Sequence, residues 1–88
     1  MTRPEDFLKE VAEIIEQRGK THGDFSKSME ITAHMWSLFL KQHITPEQVC
    51  VLFALLKISR MATGGISTEH VEDLVGYGAI LGALVERR

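Results

Sequence analysis

One cysteine, two prolines, one tryptophan and one tyrosine in 88 residues leave several protein classes without support. A single cysteine cannot build a disulfide framework, so the reducing cytoplasm is the expected compartment, with Cys50 as a small core residue inside an apolar run. There is no block of Lys and Arg to release counterions from a duplex. Ten basic against twelve acidic residues give a formal charge of -2, so no stable nucleic-acid complex is expected, while a contact to a single nucleotide stays open. The longest apolar run, Val49 to Leu56, is far short of the roughly 20 residues that span a bilayer, and MTRPEDFLKE at the N-terminus has no apolar signal core. A soluble protein without membrane contact is the expectation. Nothing alternates with period two over a strand length, and no repeat or linker divides the chain, which implies one all-α domain over residues 1–88. His22, His34, His43 and His70 lack the spacing of a zinc site, and no Ser or Cys stands beside a positioned His.

What is present reads as four amphipathic helices. Thr2 with Glu5 forms a capping-box pattern ahead of Phe7, Leu8, Val11, Ile14 and Ile15, whose steps of three and four make one apolar stripe; Gly19 is expected to end this helix. Gly19 to Asp24 reads as a loop, with Asp24 as the N-cap of a second helix over about residues 25–42 that carries Phe25, Met29, Thr32 or Ala33, Trp36, and Phe39 with Leu40 inward. Thr45-Pro46-Glu47-Gln48 is the sharpest helix start in the chain, and the third helix should run to about Ala62. Because Val49 to Leu56 are all apolar, this helix is expected at the centre of the packing. Gly64-Gly65 then turns the chain, and Ser67 or Thr68 caps a fourth helix, antiparallel to the third. That last helix is interrupted by Gly76, Gly78 and Gly82, which implies close approach of another helix, from the same chain or from a second copy. The architecture expected is a four-helix antiparallel bundle that assembles into a homo-oligomer through the fourth helix, with the second as a further candidate.

Chemistry concentrates in two stretches. Lys57 and Arg60 share a face of the third helix, and Glu69, Asp73 and Tyr77 follow one another at i, i+4, i+8 on the fourth, so the hairpin should bring the four charges together. One reading is an interhelical salt-bridge set that neutralises a partly buried cavity, with Tyr77 over it. The other is a site in which the cations hold a phosphate while the carboxylates hold Mg2+ or orient a base or sugar. Glu10, Glu13 and Glu16 form a second acidic row, and Glu10 and Glu13 with Glu69 and Asp73 could supply oxygen ligands to Mg2+ from two helices. Arg18, Lys20, His22 and Asp24 form a small polar cluster in the expected loop. Gly19-Lys20-Thr21 lacks the upstream glycine and the strand of a phosphate-binding loop and is rejected as one.

Taken together, Arg18-Gly-Lys-Thr-His-Gly-Asp24, then Trp36, then Leu56-Lys57-Ile-Ser-Arg60-Met61, then Glu69-His-Val-Glu-Asp73-Leu-Val-Gly76-Tyr77 resemble a family of small phage and prophage helical proteins of unknown function. His22 stands where that family usually has Tyr. A more distant likeness is to the MazG-like all-α nucleotide pyrophosphatases, whose carboxylates on neighbouring helices bind Mg2+. That pattern wants two acid pairs on consecutive helices, whereas here the second helix offers little besides Glu30. The resemblance implies an oligomeric protein, in the host cytoplasm if phage-encoded, that handles a small phosphorylated nucleotide. In the leading expectation it sequesters a nucleotide or a nucleotide defence signal: Lys57, Arg60 and Arg18 contact phosphate, Trp36, Tyr77 or His22 stack on a base, Asp24 sits beside them, and Glu69 and Asp73 hold sugar hydroxyls or neighbouring cations. The alternatives are a Mg2+-dependent nucleotide pyrophosphatase and an interaction module whose charges only specify packing.

Overall fold

Four helices, α1 (Pro4–His22), α2 (Phe25–Leu40), α3 (Pro46–Gly64) and α4 (Thr68–Glu86), make up the described part of the chain, residues 2–87 of a computed structural model. The all-α expectation holds, and among the described residues no helix is long and apolar enough to cross a membrane.

The helix ends follow side-chain chemistry, with two corrections at α1. Its N-cap is Arg3, which makes no side-chain cap, and Pro4 sits in the first turn where its missing N–H costs nothing. The capping box expected from Thr2 and Glu5 does not form. Instead the Arg3 guanidinium donates to the Asp6 carboxylate at 3.0 and 3.1 Å. Nor does α1 stop at Gly19. A mid-helix glycine costs only about 1 kcal/mol, and the chain leaves the helix at Gly23, where φ of 84° suits a residue without Cβ. Arg18 and His22 are therefore helical residues, not loop residues.

The other three starts are as expected. Asp24 accepts the Ser26 N–H at 2.9 Å, Thr45 and Gln48 form a complete reciprocal capping box, and the Ser67 hydroxyl accepts the His70 N–H. Between α2 and α3, Lys41 takes a left-handed conformation, and Ser37 ties the turn back by donating to the Ala33 carbonyl and accepting the Ile44 N–H.

Packing is centred on α2, α3 and α4. Met29 and Ala33, Val49 and Cys50, and Ile80 and Leu84 form the buried cluster, with Trp36, Phe53 and Tyr77 packed against it. α3 lies most extensively on α4, and α1 lies mainly on α4, burying Val11 apart from that cluster. Two expectations about burial are corrected here. Phe39 and Leu40 end α2 exposed, and α3 is not enclosed on all sides: Val49 and Cys50 are buried while Val51, Leu52, Leu55 and Leu56 face solvent. A helix enclosed all round needs neighbours all round, and within this chain α2 and α4 cover one side. The glycines of α4 are corrected too. A Cβ added at Gly76, Gly78 or Gly82 would meet no atom within 4 Å, so no helix of the same chain approaches closely there.

Candidate functional site

Asp73, on the second turn of α4, is the centre of the polar site. Its carboxylate accepts from Lys57 Nζ at 2.8 Å and from Arg18 Nη1 at 3.2 Å, so α1, α3 and α4 meet on one group. The antiparallel α3–α4 hairpin explains the first contact, since Lys57 lies nearly two turns before Gly64 and Asp73 a little over one turn after Thr68. The second comes from the C-terminal turns of α1, where Arg18 lies four residues before the helix ends at His22 and reaches α4. The Asp73 side chain is 19% exposed and that of Lys57 13%, whereas Arg18 is half exposed. Partial burial pushes the Asp73 carboxyl up, but the hydrogen bonds and charges of Lys57 and Arg18 outweigh it and hold the group below the ordinary carboxylate range.

An aromatic row runs beside this cluster. Phe53 stacks on Tyr77 with ring centroids 5.1 Å apart, and Trp36 tilts onto the far face of the row at 5.5 Å from Phe53. These are ordinary aromatic separations, and they join α2, α3 and α4. Tyr77, one turn beyond Asp73, shares a small cleft with Asp73, Arg18, Gly76, Ile15, Phe25 and Ile80. Ile15, Phe25 and Ile80 also wall a cavity of about 430 Å3 between the α1–α2 turn and the last turns of α4, where Arg87 hydrogen-bonds the Ser26 hydroxyl. The cleft is too small for a ligand, but the neighbouring cavity falls within the range of about 300–1,000 Å3 typical of small-molecule sites.

Of the residues singled out from sequence, Arg18, Lys57, Asp73 and Tyr77 come together. Arg60 and Glu69 do not join them: both are exposed and make no ion pair among the described residues. The expected convergence of four charges is thus a three-residue cluster in which Arg18 takes the place assigned to Arg60. His22 lines a separate concavity with Lys27 and Thr32, and Asp24 borders both that concavity and the 430 Å3 cavity while its carboxylate caps α2. Trp36 reaches the site through Phe53. Glu10 and Glu13 line a groove along α1 that Arg18 also borders. They are not brought together with Glu69 and Asp73, and among the described residues no three His, Cys, Asp or Glu side chains form a metal-ligating group.

Two features escape sequence reasoning, one in the site and one next to it in sequence. Phe53 is the middle of the aromatic row, and its position four residues before Lys57 on the inward face was the available signal. His70, three residues before Asp73, buries its Nδ1 with no hydrogen-bond partner among the described residues, for which no motif gave warning.

The comparisons with known proteins bear on the same stretch. A family model described as a domain of unknown function, DUF6378, matches residues 6–85. The chain belongs to the DUF6378 family. That match takes in the site cluster from Arg18 to Tyr77, so the cluster lies in the family domain. The DUF6378 chain is also similar to the Gene 55 protein of Mycobacterium phage L5, at 36% identity over 77 residues, which cover 85% of this chain and 49% of the phage protein. It therefore spans about half the length of that relative. No solved structure matches the DUF6378 chain.

Proposed function

We propose that this protein binds a small phosphorylated nucleotide and holds it without turnover, as a homo-oligomer, with sequestration of a nucleotide signal as its role. The observation that carries the reading is the delivery of Arg18 and Lys57 from two helices onto one carboxylate, beside a small cleft that shares Ile15, Phe25 and Ile80 with the neighbouring cavity. Asp73 accounts for one unit of that charge, so the cluster keeps a net positive charge, and the half-exposed Arg18 has guanidinium donors to spare for phosphate oxygens. The adjoining cavity offers Phe25 and Ile80 as apolar walls for a base, and Arg87 and Ser26 as polar groups near its rim. Similarity to a phage protein supports a phage-related setting.

The MazG-like pyrophosphatase finds less support in the residues. Its oxygen ligands would have to come together, and here Glu10 and Glu13 lie along α1 while Asp73 is engaged by two cations. The experiment that separates the readings is to incubate the protein with nucleoside triphosphates, cyclic dinucleotides and ADP-ribose derivatives plus Mg2+, filter, and chromatograph the filtrate before and after heating. Depletion of one compound that returns intact on heating, and loss of depletion in Arg18→Ala, is the expected result. Conversion to monophosphate and pyrophosphate points to the hydrolase. An unchanged panel leaves the cluster as a packing device.

A further inference from the structure

We infer that the outward faces of α3 and α2 are covered in solution by a second copy of this chain, with α3 of each copy at the centre of a two-fold interface. This specifies the assembly named above and does not depend on its ligand. With about 100° of rotation per residue, Val51, Leu55, Ile58 and Ala62 fall on the side of α3 opposite Val49, Phe53 and Lys57, with Leu52 on the flank. The positions 51, 55, 58 and 62 step by four, three and four, the spacing of a helix–helix seam. Ile31, Met35 and Leu38 step the same way on α2. All of these large side chains are exposed in the protomer, Leu55 at 53% and Ile58 at 47%. Between Val51 and Ala62 the charged residues are Lys57 and Arg60, both on the opposite side of the helix wheel. A solvated helix face normally carries charge, and monomeric proteins rarely leave large contiguous apolar patches in water.

The area argues for a partner of the same size as a standard interface. The chain exposes 6466 Å2. A folded monomer of its 9.9 kDa mass is expected to expose about 5,200 Å2, an excess here of roughly 1,250 Å2. A stable interface removes about 800 Å2 from each partner. The radius of gyration agrees, at 14.0 Å against about 12 Å for a compact chain of this length. Two copies joined by self-complementary apolar faces give a closed dimer, the commonest solution for a soluble homo-oligomer.

Light scattering on the full chain over a wide range of concentration should give twice the mass of the protomer, or a higher even multiple, and Leu55→Glu should halve it with helicity retained. The second measurement uses wild-type protein, so that it decides even where the variant fails to fold. In methyl NMR with a soluble paramagnetic agent, Leu55 and Ile58 methyls should be shielded while the loop residue Ile66, 83% exposed in the protomer, is strongly relaxed. A protomer mass at all concentrations overturns the inference. So does an oligomer in which Leu55 and Ile58 relax as fast as Ile66, which would move the contact elsewhere, for example to the glycine-rich side of α4. A dimer with no nucleotide affinity refutes the binding reading and leaves this inference standing, and a monomer that sequesters nucleotide refutes assembly and leaves nucleotide binding standing.

Discussion

Replacing Asp73 with alanine removes one carboxylate and strands two cations, and the structure says how much each should matter. At an effective dielectric near 20, the attraction across the 2.8 Å Lys57–Asp73 contact is about 6 kcal/mol, most of which cancels against desolvation of the two groups. What does not cancel, when one partner is deleted, is the cost of leaving the other buried; for a fully enclosed pair this is about 3–5 kcal/mol. Lys57 keeps 13% exposure and a flexible stem, so its ammonium reaches water at part of that cost. Arg18, half exposed, turns outward and adds under about 1 kcal/mol. The expected loss is therefore about 2–3 kcal/mol, which in a domain of this size lowers Tm by at least about 8 °C. Urea unfolding followed by far-UV circular dichroism measures it. The companion variant Lys57→Met keeps the stem and removes the charge, and the double variant Asp73→Ala/Lys57→Met should recover about half of the single loss. A loss below about 0.5 kcal/mol, or a double variant that costs the sum of the singles, would refute the claim that these groups form one coupled unit.

Three further outcomes follow from the same structure. The folded carboxyl of Asp73 lies below its unfolded value, so its contribution is complete above about pH 4 and is lost as pH falls through the folded value; urea midpoints measured from neutral to acid pH should show this limb, and Asp73→Asn should flatten it. Gly78→Ala and Gly82→Ala should each stabilise by about 0.5–1 kcal/mol, because the new methyl meets nothing and the helix gains a better former; unchanged mass with raised Tm is the expected result, and dissociation would place a partner on α4. The Cys50 thiol is buried, and burial followed by the charge of Glu47 pushes its pKa up; it should resist alkylation in native protein and react promptly in urea, and rapid native labelling would contradict its place in the core.

Much of the fold was legible because local chemistry and tertiary packing agree. Thr45 with Gln48, Asp24 and Ser67 are capping residues whose partners lie two or three positions away, so sequence alone specifies them. Gly19 misled because glycine marks helix ends only where the backbone needs a positive φ, and that need arises at Gly23. The α3–α4 pairing of Lys57 with Asp73 was legible from a short connection and helical spacing. Arg18 was grouped with Lys57 only through the family resemblance, and its contact with Asp73, which crosses 55 positions of chain, was not legible from spacing. Arg60 and Glu69 show the converse: a shared helix face at the hairpin end brings charges near one another without making them meet. The run Val49 to Leu56 was read as wholly internal because a sequence reports how much apolar surface must be covered, not whether the covering helices belong to the same chain.

The apolar run and the cation of the cluster occupy two sides of α3. Lys57 and Leu55 are two residues apart, which places them about 160° apart around the helix. One face therefore holds the cation of the Asp73 cluster and the other holds the centre of the apolar seam. A helix with obligations on both sides cannot rotate to relieve either without exposing the other, so a partner on the outer face would fix the register in which Lys57 meets Asp73. The separation also makes the two claims independent in experiment. Leu55→Glu changes the outer face and leaves the 2.8 Å contact in place, while Asp73→Ala empties the inner face of its anion and leaves the seam untouched. Loss of assembly in Leu55→Glu with nucleotide capture retained, and loss of capture in Arg18→Ala with assembly retained, is the pattern that this arrangement predicts.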